Sequence, residues 1–243
     1  MIQIKNSAQL KSNARGQLIG KYGTYIPALL IVEVISFLLT NLVSSVSDLT
    51  SLSGMILYGI LSVLVSLVIN IFYVGNSRII LQICCQRSIK VSDIIYGFSH
   101  QLDKIIQISM RLLAISLIPS FFGAIPLAIG IVGKNIWIIL LGFVIILAVL
   151  IVVCYMLLRY SLVYFILLDF PQYTVSQIFH MSQLLMKGNM ARLLYLLVSF
   201  LPLYLLSAFS CFIANFWISP YLYVTFGNFY CNLVKVAASK QTN

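Results

Sequence analysis

Acidic residues are nearly missing from this chain. Five Asp and Glu stand against fifteen Lys and Arg in 243 residues, and charged side chains of both signs make up only 8%. A soluble domain carries about 25% charged and about 45–50% apolar residues. Here 61% are hydrophobic and the mean hydropathy is +1.06. A soluble globular domain is excluded, because even a well-packed core leaves a surface that needs polar cover. The two histidines, His100 and His180, fall on different segments. With no H-E-x-x-H, no C-x-x-C and no acidic cluster, neither a metal nor a cofactor is expected. The chain lacks G-x-x-x-x-G-K-[ST] and G-x-S-x-G, which removes the P-loop and nucleophile-elbow chemistries. No catalytic residue is assigned. Cys84, Cys85, Cys154, Cys211 and Cys231 read as small apolar residues or reduced thiols.

What is present is a series of long apolar runs, and a helix needs roughly 20 residues to cross about 30 Å of hydrocarbon. The expected fold is an all-α membrane protein, a six-helix transmembrane bundle forming one domain over residues 1–243. Its spans fall at about 22–46, 55–84, 105–131, 136–168, 190–212 and 216–237. Residues 1–21 are basic and carry a weak apolar stripe (Ile4, Ala8, Leu10, Leu18, Ile19), as a helix lying on the membrane face or as a disordered tail. Gln86 to Phe98 and Thr174 to Lys187 are expected as further amphipathic cytoplasmic segments. The second has Val175, Ile178, Phe179, Leu184 and Leu185 on its apolar side. Asp93 and Asp169 suit helix ends. The first span, lacking a small-residue cleavage site, reads as a retained anchor.

Charge orients the bundle. With the N-terminus inside, every Lys and Arg except Lys134 lies on the inner side, as cytoplasmic loops require. Both ends are therefore expected in the cytoplasm, and the basic excess points to a membrane surface with anionic lipids rather than to nucleic acid. The order of amphipathic segment and hairpin also suits three repeated units. Leu18-Ile19-Gly20-Lys21-Tyr22 parallels Leu185-Met186-Lys187-Gly188-Asn189-Met190. A true repeat or three unrelated hairpins would each give this pattern.

Several stretches carry a family resemblance: Arg159 to Asp169, Val175-Ser176-Gln177-Ile178, Ser182 to Asn189, Pro220-Tyr221 and Phe229-Tyr230, with Val91 to Phe98 upstream. Together they resemble the bacterial integral-membrane family catalogued as domain of unknown function 975. The resemblance implies six helices in a bacterial plasma membrane. It also marks Ser182, Met186, Lys187, Gly188 and Asn189 as a cytoplasmic motif or docking segment. The family brings no established activity. A looser similarity connects it with membrane domains attached to some glycerophosphodiester phosphodiesterases, whose catalytic domain is absent here.

Glu33 is the acid placed within a span, and such a carboxylate needs a partner or water. Arg111 and Arg159 sit at a similar depth, so a pairing of Glu33 with one of them is expected, either as a structural lock or as a polar site; the alternative is a protonated or snorkelling Glu33. Pro119, Pro126, Pro202 and Pro220 mark kinks or hinges. Trp137, Trp217 and Tyr221 read as outer interfacial anchors. Two functions follow. One is a non-catalytic accessory, scaffold or immunity-type component, linked to export of or protection from a membrane-active peptide, with a membrane-protein partner or a second copy of itself. The other is a transporter or channel for a small or lipidic substrate.

Overall fold

The computed structural model describes residues 5–48, 50–210 and 212–241. Ile4 of the expected N-terminal stripe and Cys211 lie outside them. Among the described residues every regular element is helical: α1 (Ser7–Leu18), α2 (Tyr22–Val46), α3 (Leu52–Cys84), a 3-10 turn (Val91–Ile95), α4 (Tyr96–Ser99), α5 (Leu102–Val132), α6 (Ile136–Arg159), α7 (Val163–Asp169), α8 (Val175–Met186), α9 (Met190–Val198), α10 (Leu201–Phe209) and α11 (Asn215–Gln241).

Five helical stretches are long and apolar enough to cross a membrane: Tyr22–Val46, Leu52–Cys84, Leu102–Val132, Ile136–Asp169 and Met190–Phe209. The expected sixth, α11, does not meet that measure. Asn215, Ser219, Thr225, Asn228 and Asn232 dilute it, and protein shields its inner half, where Val224, Thr225 and Tyr230 are fully buried. A helix covered by other helices needs no lipid-compatible surface. Two expected spans are interrupted. The fourth breaks at residues 160–162 between α6 and α7, and the fifth at Ser199-Phe200, just ahead of Pro202 in the first turn of α10. Pro119, Pro126 and Pro220 sit inside continuous helices.

Burial divides the molecule into a base and three hairpins. The base holds the packed core, including Leu18, Ile83, Ile94, Ile105, Ile166, Ile178, Met186 and Tyr230. Above it the pairs α2/α3 and α5/α6 expose Leu38, Leu42, Ile56, Ile60, Phe121, Phe122, Phe143 and Ile151. So much contiguous apolar surface demands an apolar solvent, and the chain is a multi-pass membrane protein.

The base repeats the same local device. The N-caps Asn6, Lys90 and Thr174 are evenly spaced, and each backbone N–H donates to the side chain three residues on: Gln9 (3.1 Å), Asp93 (3.0 Å) and Gln177 (2.9 Å). These bonds satisfy the N-cap N–H groups, and at Asn6 and Thr174 the cap side chain also accepts a backbone N–H that the helix start leaves open. Leu10, Ile94 and Ile178 then enter the core in matching register. α1 and α8 end alike as well. Ile19 (φ −57°, ψ 126°) and Lys187 (φ −60°, ψ 118°) precede Gly20 (φ 77°) and Gly188 (φ 78°), left-handed positions that suit glycine. Each segment packs on the returning helix of a hairpin: the 3-10 turn on α3, α8 on α7, and α1 on α11, which closes the ring.

The expected apolar faces are partly rearranged. In α1 the buried stripe is Leu10, Ala14 and Leu18, while Ala8 and Ile19 are exposed. In α8 Leu184 is exposed, because the inward arc runs through Val175, Ile178, Ser182 and Leu185. Rather than lying on a membrane face alone, α1 runs antiparallel along α11. Lys5 N–H bonds Asn232 (3.0 Å) at one end and Arg15 Nε bonds the Tyr221 hydroxyl (3.0 Å) at the other. Lys11 Nζ donates to the Ser199 carbonyl (3.0 Å); burial, and then the neighbouring Arg15 charge, pull its ammonium below the usual lysine range. Tyr221, expected as an outer anchor, is thus buried under Arg15 and against Phe200.

The hairpins differ in height. The 3-10 turn crosses α3 at Gly75, where a Cβ would meet the Ile94 carbonyl, leaving Leu52 to Val74 above, roughly 34 Å at 1.5 Å per residue. α8 meets α6 at Arg159, whose carbonyl accepts from Ser182 Oγ (3.0 Å), leaving about the same length above. The middle of α1 faces α11 near Phe226, leaving Asn215 to Thr225 above, only roughly 16 Å. The third hairpin (α10/α11), tied at its tip by Ser207 Oγ to Asn215 Oδ1 (2.8 Å), rises about half as far as the others.

Candidate polar groove at Glu33

Glu33 lies three turns into α2, roughly 16 Å from Tyr22 along the axis. It stands where two cavities meet. A groove of about 470 Å³ between α2 and the short third hairpin is walled by Ile26, Leu30, Val34, Phe37, Phe212 and Phe216, with Asn215 and Ser219 on one side. A recess of about 170 Å³ runs inward between α2, α3 and α11, lined by Ser36, Tyr73, Asn76 and Tyr223. Glu33, Leu29 and Tyr223 line both. The result is a slot that is apolar at its outer mouth and polar at its floor. The floor is anchored by the buried hydrogen bond from the Tyr25 hydroxyl to Asn76 Oδ1 (2.7 Å). Because the third hairpin is short, Phe212 faces Phe37 while α2 continues nine residues to Val46; the slot opens sideways at the hairpin's tip.

Glu33 pairs with neither arginine. Among the described residues the one ion pair is Arg78–Asp93 (3.5 Å), and no hydrogen bond reaches the Glu33 carboxylate. Arg159 Nη2 bonds Gln183 Oε1 (2.7 Å), and Arg111 lies 5.6 Å over the Phe179 ring. Both belong to the α5/α6/α8 side, a different groove from that of Glu33.

The remaining expected residues have structural places. Ser182 and Met186 are buried, Lys187 and Gly188 form the turn, and Asn189 Nδ2 closes α8 on the Leu185 carbonyl (2.9 Å). Asp93 accepts the Lys90 N–H as well as the Arg78 pair. Asp169 ends α7 and accepts from the Tyr230 hydroxyl (2.8 Å). Cys84, Cys85, Cys154 and Cys231 are free thiols. Sequence reasoning missed Tyr73, Asn76 and Tyr223; the one signal was polar Asn70 and Asn76 within an otherwise apolar run.

A family model described as "Protein of unknown function (DUF975)" matches residues 1–237. The chain belongs to this family. No curated protein and no solved structure matches this DUF975 chain, and the looser similarity to membrane domains of glycerophosphodiester phosphodiesterases gains no support. For a DUF975 protein the functional reading therefore rests on its own residues.

Proposed function

We propose that this DUF975 protein is a non-catalytic component of the bacterial plasma membrane that takes a cationic amphiphile from the bilayer into the Glu33 slot. Six helices enter the membrane as three repeated units, with the base and both ends on the cytoplasmic side. The matching N-caps, the paired left-handed junctions and the cyclic packing of α1, the 3-10 turn and α8 support the repeat. The basic base supports the orientation: Lys11, Arg15, Lys21 and Lys104 find acceptors there, whereas Lys134 stands at the opposite tip. The third hairpin ends near mid-bilayer. Anionic groups of the inner leaflet offset the basic excess.

The observation that carries this reading is the unpaired Glu33 carboxylate at the junction of an apolar groove and a polar recess. A carboxylate away from water is stabilised by a proton or by a cation. An ammonium or guanidinium head joined to an apolar body satisfies both parts of the slot. A membrane-active cationic peptide has that chemistry, so the same groove serves export of such a peptide or protection from it.

The test uses tetraphenylphosphonium, a permanent lipophilic cation, and the purified protein in an uncharged detergent. Saturable binding that weakens at least tenfold in Glu33→Gln and is partly retained in Glu33→Asp is the expected result. Equal binding by Glu33→Gln, or none by the unaltered protein, would remove the proposal.

A further inference from the structure

A second groove, of about 550 Å³, lies where α8 crosses α5 and α6, and its polar lining holds a cation, groups able to donate hydrogen bonds and no carboxylate. We infer that this groove binds the phosphate of an anionic membrane lipid through Arg111, Tyr160, Ser176 and His180.

Arg111 is exposed on the wall and held by the Phe179 ring, and no acid or hydrogen-bond acceptor among the described residues neutralises it. A guanidinium at a membrane interface presents a planar fork that matches phosphate oxygens. Tyr160 is oriented by a relay. Arg159 Nη2 donates to Gln183 Oε1 (2.7 Å), which turns Gln183 Nε2 toward the Tyr160 hydroxyl (3.0 Å). That hydroxyl oxygen is already accepting, so its own proton is left to donate elsewhere. Ser176 and His180 line the same cavity, and their side chains make no hydrogen bond to the described residues. A guanidinium, two hydroxyls and an imidazole with no carboxylate among them select an anion.

The rest of the lining identifies the source. Ala114 and Ile115 continue the wall along α5, and beyond them Leu117, Ile118 and Phe121 are exposed. An acyl chain attached to the phosphate can follow that apolar surface outward, whereas a free phosphate would leave it empty. This site takes a ligand of opposite charge to the Glu33 slot and stands independently of it.

Calorimetric titration of the purified full chain in a maltoside detergent tests the inference. The probes are dioctanoyl phosphatidylglycerol, dioctanoyl phosphatidylcholine and inorganic phosphate. Phosphatidylglycerol is expected to bind saturably and at least tenfold more tightly than either of the others. Arg111→Gln should weaken it at least tenfold, and Lys235→Gln, a basic change at an exposed position of α11 outside the groove, should leave it unchanged. If Arg111→Gln does not fold, Tyr160→Phe and Ser176→Ala each remove one donor with little change in volume and should weaken binding several-fold. Binding of phosphatidylglycerol that none of these three substitutions weakens overturns the inference. So does inorganic phosphate or phosphatidylcholine binding as tightly as phosphatidylglycerol.

Discussion

The height of the third hairpin can be measured with the protein's own two tryptophans. Trp137 opens α6 at the tip of the second hairpin and is 77% exposed; Trp217 lies near the tip of the third and is 54% exposed. From Arg159, where α8 crosses α6, Trp137 stands roughly 33 Å above the base at 1.5 Å per residue. From Phe226, where α1 crosses α11, Trp217 stands only roughly 13 Å above it. In the proposed orientation, with the base at the inner edge of hydrocarbon about 30 Å thick, Trp137 would reach the outer boundary and Trp217 would lie within a few ångströms of the midplane. The perturbation is a pair of variants, Trp137→Phe and Trp217→Phe, each reporting a single indole in vesicles of lipids brominated at defined chain depths. Trp137→Phe, which leaves Trp217, should be quenched most by bromines near the chain ends and should emit at shorter wavelength. Trp217→Phe, which leaves Trp137, should be quenched most by bromines near the headgroups. A headgroup-type profile for Trp217 would refute the half-height hairpin. A full-length span and a hairpin lying on the inner surface would both produce it.

Two further outcomes follow from the base. Gly20→Ala and Gly188→Ala should each lower stability by about 1–2 kcal/mol, the cost of a side chain in the left-handed region, and by similar amounts because the two junctions share their angles. Thermal unfolding in detergent checks this, and a cost at one site alone would break their equivalence. Gly75→Ala should cost about 1–3 kcal/mol by overpacking against the Ile94 backbone, while Gly59→Ala, with open space around it, should be neutral or slightly stabilising in the same melt.

Much of the architecture was legible in the residues because it depends on solvent and local chemistry. Apolar runs from Tyr22 and Met55 became helices close to the expected bounds. Gly188 ended α8, and Thr174 and Asp93 closed their N-terminal bonds, because caps and left-handed turns are decided within four residues of sequence. The breaks at residues 160–162 and at Ser199-Phe200 were hidden. The composition there stays apolar, and only packing against α8 and α1 distinguishes a turn from a continued helix.

The Glu33 site separates the two levels most clearly. Counting residues gives a position along each helix, because a helix rises by a constant amount, and it could say no more than that of Glu33, Arg111 and Arg159. Which groove each occupies depends on where neighbouring helices stand around the bundle, a tertiary property. Sequence alone therefore determined that the chain needs a lipid-like solvent and where its acid and bases lie along each helix. Tertiary structure decided that Glu33 faces Tyr73 and Tyr223 rather than an arginine, and that α11 stops short. Local periodicity and capping are written in neighbouring residues, whereas contacts between distant helices arise only when their surfaces pack.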